Sequence, residues 1–335
     1  MNEKCITSRG HYITSIQNCN FMELLTELYK TFSPSGKEQE MKKFIVRWVK
    51  DNCRNTMVAK DKKGNIYITK GKTKTYPCLC AHLDQVQKTH ALDFEVCRSG
   101  DILFGYSKTF KAYQGLGADD KNGCWVCLNC LKKYDAIKVV FFVEEETGCH
   151  GSQKAIMSFF DDCRYVLQID RKNGGDFITN IGGWTPLCSQ KFIDAVQPEK
   201  FGYKEETGML TDVEVLKDNG LKVSAANLSC GYYNPHTDQE FTLWSELKNC
   251  LSFVEHIIET CQDVYPHDRD DYDFNAYDRE MEEEEFRDTI AYHLADCPNL
   301  TAKDIMEWYA GMFFYLKEED IERLIKEEKG RSLMY

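Results

Sequence analysis

Apolar positions along the chain follow two periods, and the alternation between them predicts the architecture. From Phe21 to about Asn52 they recur at helical spacing, and Ser35 followed by Glu38 reads as a capping box ahead of the run Met41–Val49. Strand-length segments follow at Met57–Ala59 and Asn65–Thr69, joined by a turn at Asp61–Gly64. The chain then alternates: strand Cys78–His82, helix Lys121–Tyr134, strand Val139–Glu144, helix Ser152–Phe160, strand Tyr165–Asp170. Strands separated by helices imply crossover units, hence an α/β domain with three α/β/α layers around a mixed, mostly parallel sheet. A further strand, Lys222–Leu228, precedes a loop and a long amphipathic helix, Leu243–Asp263.

The pattern changes beyond Tyr265. His267–Glu285 is dense in Asp and Glu and poor in aliphatic residues, which reads as a linker or a solvated helix start. After it, Thr301 is placed as an N-cap, and Ile305, Trp308, Met312, Phe313, Leu316, Ile321, Leu324 and Ile325 form an apolar series of helical spacing. The expected organisation is a main domain over residues 1–265 and an acidic linker with a small helical appendage over 266–335. The appendage is expected to cover the main core, with docking or homo-oligomerisation through its helices as the alternative.

Composition narrows the function classes. A chain of 335 residues with 42% hydrophobic content can bury a core of this size. A net charge of -12, with no basic stripe, argues against a nucleic-acid partner. No apolar run approaches the roughly 20 residues of a membrane helix, and the polar first residues do not resemble an export signal. A cytoplasmic location is therefore expected, with the 16 cysteines as reduced thiols. Cys78 and Cys80 alternate along an apolar strand, and Cys124, Cys127 and Cys130 share a helical stripe, so both groups read as core.

The candidate chemistry lies where strands end. Cys78–His82 releases His82 and, two residues on, Asp84, at the strand edge where open α/β sheets bind ligands. A metal-bound imidazole needs its second ring nitrogen held, and a carboxylate at that spacing can hold it. Gly115-Leu-Gly-Ala-Asp-Asp-Lys121 opens a helix with Asp119 and Asp120 at its start. Glu144, Glu145 and Glu146 follow a buried strand directly, and three adjacent carboxylates there repel one another unless a cation lies among them. Asp170 ends the next strand, and His236 stands in Asn234-Pro-His-Thr-Asp-Gln-Glu240. Each signal alone has an ordinary structural reading. Together they supply the oxygen and nitrogen ligands that zinc takes, with a carboxylate to bridge two ions.

The order His-x-Asp, Gly-Ala-Asp-Asp-Lys-x-Gly, Glu-Glu-x-Gly, Asp, His resembles the co-catalytic zinc exopeptidases, a group that includes peptidase T, the carboxypeptidase G type and the bacterial leucyl aminopeptidases. The resemblance spans about Phe21–Asp263. It implies two zinc ions, with cobalt or manganese as substitutes: His82 and Asp170 on one, Glu146 and His236 on the other, Asp119 bridging. It also implies that Asp84 orients His82 and that Glu145 is the general base, a register within the triple Glu set by Gly148. Tyr232 or Tyr233 is implied as an oxyanion donor, with packing aromatics as the alternative. The expected substrate is a short peptide or aminoacyl compound cleaved by an aminopeptidase-type reaction. Alternatives are an amidohydrolase or carboxypeptidase acting on N-acyl amino acids, with Arg171 and Lys172 meeting a carboxylate, and an inactive scaffold. The 66-residue step from Asp170 to His236 is too short for a lid domain, and the 35 residues from Asp84 to Asp119 are too few for a barrel-like insert.

Overall fold

The computed structural model describes residues 12–183, 185–268, 283, 286–287, 289–295, 297–308 and 317–332. The chain separates into two compact units, Met1–Arg269 and Asp270–Tyr335. In the first, helices α1 (Tyr12–Lys30) and α2 (Gln39–Asn52) precede strands β1 (Thr56–Lys60), β2 (Ile66–Lys70) and β3 (Tyr76–His82). Next come β4 (Phe94–Ser99), β5 (Ile102–Ser107), β6 (Ala112–Gln114), α3 (Ala118–Lys133), β7 (Ile137–Phe142) and β8 (Cys163–Arg171). The unit continues through β9 (Asp176–Ile181), β10 (Thr185–Pro186), α4 (Gln190–Val196), β11 (Lys204–Gly208), α5 (Asp212–Asp218) and β12 (Ala225–Ser229). It closes with β13 (Tyr232–Tyr233), β14 (Phe241–Leu243) and α6 (Trp244–Thr260).

A nine-stranded sheet runs β1-β2-β7-β3-β8-β12-β9-β10, with β11 also paired to β9. Its centre, β7-β3-β8-β12, is parallel, β1-β2-β7 and β12-β9-β10 are antiparallel, and β11 pairs with β9 in parallel. This is the mixed, mostly parallel sheet with helices on both faces that the alternating pattern predicts. Because side chains alternate along a strand, Leu79, Ala81, Val139, Phe141, Leu167 and Ile169 face one core, under α3 and α6. Cys78, Cys80, Val140, Phe142 and Val166 face the other, with Val213 and Leu216 of α5. Full burial of each large apolar side chain contributes about 1.5–3 kcal/mol. The described cysteines are free thiols, and Cys78, Cys80, Cys124, Cys127 and Cys130 are all buried.

Several expectations need correction. The helical stretch from Phe21 is two helices, separated by a loop containing Pro34 and Gly36. Ser35 does not cap α2, which starts at Gln39 after Glu38 without a side-chain cap; its hydroxyl donates to Asp84 Oδ2 at 2.8 Å. Ser152–Phe160 forms two short 3₁₀ turns instead of a helix. The segment between Asp84 and Asp119 contributes β4, β5 and β6 to a second, five-stranded antiparallel sheet with β13 and β14. As the 66-residue spacing predicts, the described residues between Asp170 and His236 add β9–β12, α4 and α5 to the main unit and form no separate lid domain.

In the second unit, α7 (Ala302–Trp308) and α8 (Glu318–Ser332) pack Ile305, Ile321, Leu324 and Ile325 into a small core with Phe286 and Ile290. Thr301 and Asp304 exchange hydrogen bonds at the start of α7, as the N-cap reading requires. Trp308 is exposed. Most of the acidic stretch after Asp268, together with Met312, Phe313 and Leu316, lies outside the described residues. No described helix is long and apolar enough to cross a membrane.

His90 ties the second sheet to the loop that carries Asp119. Its ring stacks between Phe32 and Phe94, with centroids 4.6 and 4.1 Å away, and Nε2 lies 2.8 Å from Gly115 O. Burial, aided by the Lys121 charge, pushes its pKa down to about 4 despite the bond to Gly115. The unfolded chain, with an ordinary imidazole near 6.5, therefore binds the proton more readily. The stabilisation is fully present above about pH 6.5 and is lost as pH falls towards 4, on the order of 3 kcal/mol. Urea unfolding of chelator-treated protein is expected to show this slope and His90→Gln, which retains a neutral donor, to flatten it; an unchanged slope in the variant would reject the assignment.

Candidate metal centre

The central parallel strands bring the candidate residues to one sheet edge. β3 lies between β7 and β8, so His82 at its end faces the segment leaving β7, which holds Glu144–Glu146, and Asp170 near the end of β8. Asp119 arrives on the loop opening α3, whose first residues, Asp119 and Asp120, have non-helical dihedrals. α3 can approach β8 this closely because residue 123 is glycine: a Cβ there would stand 2.1 Å from Ile169 O. His236 comes from the loop between β13 and β14, in the second sheet.

The resulting cluster has two halves that share Asp119. Asp119 Oδ1 is 3.1 Å from His82 Nε2, and Asp170 Oδ1 is 3.4 Å from the same nitrogen. On the other side, Asp119 Oδ2 is 3.3 Å from His236 Nε2, which also lies 2.9 Å from Glu146 Oε2. The triple Glu is sorted by contact. Glu144 pairs with Lys63 at 2.8 Å at the periphery, Glu145 Oε2 reaches to 3.9 Å from His82 Nε2, and Glu146 meets His236. The grouping of His82 with Asp120 and Asp170 also brings ligand-type atoms close together. However, Asp120 accepts from the backbone N–H groups of His82 and Gly123, so it is held as a strut of the loop.

Behind these residues lies a layer that fixes their directions. Asp84 Oδ1 is 3.4 Å from His82 Nδ1, long for a hydrogen bond, and the carboxylate accepts from Glu145 N, Glu146 N and the Ser35 hydroxyl. Gln168, two residues before Asp170, donates to Asp170 Oδ2 at 2.9 Å and accepts from Thr211 and Val213 N. Asn227 accepts from Asp170 N and donates to Asp170 O. Glu240, fully buried, accepts from Gly117 N at 2.6 Å and Asp119 N at 3.1 Å. The sequence reading missed Gln168, Asn227 and Ser35 as parts of the site. Gln168 had a weak signal in its i, i+2 spacing to Asp170 on the strand, and Glu240 stood in the His236 motif without an assigned role.

The electrostatics are those of a site short of positive charge. Burial, together with Asp170 and Asp212, pushes Glu145 up to about 9 against the pull of His82. Hydrogen bonds to Asp119 and Glu146 raise His236 to about 10. Burial also raises Asp170, while His82 is held well above its usual range by Asp170 and Asp119 although burial opposes it. Glu146 Oε1 is a buried oxygen without a hydrogen-bond partner. The donor set of two imidazoles and three carboxylates, one presenting an oxygen to each half, fits divalent metal ions of the zinc type. No cysteine joins a metal-type cluster among the described residues.

The cluster floors a cleft of about 270 Å³, also lined by Arg171, Lys172, Met209, Leu210 and Tyr232. Tyr232, and not Tyr233, faces this space; Tyr233 donates to Glu246 and stacks on Phe241. A larger groove of about 840 Å³, lined by Phe21, Trp48, Trp125 and Leu251, includes none of the clustered residues.

The mixed α/β fold of the main unit is similar to that of several solved peptidase structures. Aminopeptidase PepT from Bacillus cereus matches with a TM-score of 0.57 at 15% identity, over 72% of this chain and 98% of its own. A tripeptidase from Staphylococcus aureus matches with a TM-score of 0.58 at 14% identity, over 72% and 97%. An aminopeptidase from the archaeon Desulfurococcus kamchatkensis gives 0.58 at 16%, over 74% and 98%. At these identities the likeness establishes a common fold, the one the resemblance in sequence order implies. No protein-family model and no curated protein matches the sequence.

Glu240 provides a test of how the Asp119 loop is held. Glu240→Ala leaves the buried N–H groups of Gly117 and Asp119 unpaired, at about 1–3 kcal/mol each. The urea midpoint is expected to fall accordingly, with a smaller loss for Glu240→Gln, which keeps one acceptor. Unchanged midpoints in both variants would refute this support.

Proposed function

We propose that the protein is a metal-dependent exopeptidase, most simply an aminopeptidase acting on short peptides, with His82, Asp119, Glu146, Asp170 and His236 as ligands of two zinc ions. The observation that carries this reading is the split carboxylate of Asp119, one oxygen 3.1 Å from His82 Nε2 and the other 3.3 Å from His236 Nε2. Such a carboxylate, flanked by an imidazole and a further carboxylate on each side, suits a bridging ligand. The fold shared with aminopeptidases and a tripeptidase supports the same class. Metal ions bound there would supply an activated water and polarise the scissile carbonyl.

The chain's own groups would do the rest. Asp84, by accepting from Glu145 N and Glu146 N, fixes the strand-end turn, and its Oδ1, 3.4 Å from His82 Nδ1, is placed to orient that ring when Nε2 takes a metal. Glu145 comes no nearer than 3.9 Å to His82 Nε2 and is not among the proposed ligands, so it would be free to take a proton from water and deliver it to the leaving amine. Positive charge at the cluster would counter the carboxylate repulsion that raises Glu145 and favour its basic form. Tyr232 is buried and its hydroxyl is raised well above the usual range by burial and the nearby Asp119, so it stays protonated as an oxyanion donor.

Purified protein is expected to hydrolyse unblocked di- and tripeptides and aminoacyl anilides, to lose that activity to chelators, and to regain it with zinc, cobalt or manganese. Turnover restricted to N-acyl amino acids would replace the aminopeptidase with a deacylase, and absence of both metal and turnover would leave a scaffold. Glu145→Gln is expected to retain metal by elemental analysis yet lose on the order of 10²–10⁴ in kcat. Glu144→Gln, at the Lys63 ion pair, should stay near wild type; the reverse ranking would shift the base by one residue. Tyr232→Phe is expected to lower kcat on the order of 10²-fold with KM little changed.

A further inference from the structure

Beyond its acidic floor the cleft carries one element that the exopeptidase reading leaves unused. Arg171 and Lys172 line it together with the apolar Ile178, Met209 and Leu210, of which Met209 and Leu210 are largely exposed. Arg171 is neutralised, its Nε 3.1 Å from Asp176 Oδ2. Lys172 has no carboxylate within ion-pair distance among the described residues and is exposed. It shares the cleft with Asp119, Glu145, Glu146 and Asp170, which would repel any anionic end of a substrate.

The backbone that carries Lys172 is fixed on both sides. Cys230 N donates to Arg171 O at 2.9 Å, the Ser229 hydroxyl donates to Lys172 O at 2.6 Å, and Asn173 N donates to Tyr232 O at 2.8 Å. Lys172 follows Asp170 by two residues, just past the end of β8, so the two Cα atoms are at most about 7 Å apart, and both residues line the same cleft. An extended peptide advances roughly 3.3–3.6 Å per residue. A carboxylate one or two residues beyond a bond cleaved at the Asp170 cluster therefore falls within reach of a lysine ammonium at position 172.

Resting on the exopeptidase reading, we propose that Lys172 is the subsite for the free α-carboxylate of the substrate, which makes di- and tripeptides with an unmodified C-terminus the preferred class. The ammonium would form a charge-assisted hydrogen bond with that carboxylate, and an apolar side chain would lie against Met209 and Leu210.

The test compares a leucine-containing dipeptide and tripeptide with their C-terminal amides, using zinc-loaded full-length protein. Wild type is expected to favour the free acids in kcat/KM by about tenfold or more, chiefly through KM. Lys172→Met should bring the ratio close to one, Lys172→Glu should favour the amides, and Lys172→Arg should restore the preference for acids. Equal turnover of acids and amides by wild type, with both abolished by chelator, would overturn the subsite while leaving the exopeptidase intact. A preference that survives Lys172→Met would do the same. Failure to cleave either series would overturn both.

Discussion

Four carboxyl groups, those of Asp119, Glu145, Glu146 and Asp170, converge around His82 where the parallel strands end, and their mutual repulsion is the constraint on which the rest of this structure depends. Packing like charges beside a buried imidazole is unfavourable unless each is held by something else or a cation lies among them. The protein does the first with a layer of neutral and acidic partners. Asp84, Gln168, Asn227 and Glu240 each accept from or donate to the backbone or side chain of a clustered residue. Several of these bonds are made by backbone N–H groups, which cannot move away without unravelling a strand end or helix start. The unpartnered Glu146 oxygen and the raised carboxyls show that this layer compensates only partly, which is why the cluster suits divalent cations.

The same constraint explains why two sheets are needed. The main sheet alone delivers His82 and Asp170 to one half and Glu146 to the other, but only one imidazole. The second imidazole, His236, comes from the β13–β14 loop of the smaller antiparallel sheet. Glu240, four residues on, fastens that loop to the backbone of the Asp119 loop. Attachment at this point fixes the separation of the two halves that share the Asp119 carboxylate. The smaller sheet is in turn joined to the Asp119 loop from below by His90.

What could be read in advance follows from the range of the forces involved. The parallel centre was legible because β3, β7 and β8 are buried on both faces and so appear as short unbroken apolar runs, each released into a polar residue with chemistry. The small sheet was not, since β4–β6 are partly exposed, short and mixed in character, with Tyr113 and Phe110 in solvent. Ser35 illustrates a local rule overridden: instead of accepting from the first N–H groups of α2, its hydroxyl donates to Asp84, distant in sequence. Trp308 fitted a helical apolar series yet lies in solvent, because the small unit fills its core with Ile305, Ile321, Leu324 and Ile325.

By itself the sequence determined the α/β character of the main unit and which residue types stand at its strand ends, because hydrophobic period and strand burial are local properties. It also determined the order of the motifs, from which His82, Asp84, Asp119, Glu145, Glu146, Asp170 and His236 were singled out. Only the tertiary structure decided which carboxylate of a run faces inwards. Glu144 turns to Lys63 and Asp120 to backbone N–H groups, while Glu145, Glu146 and Asp119 meet the histidines. Adjacent acids are chemically equivalent along the chain, and only the dihedrals and long-range partners set by packing can tell them apart.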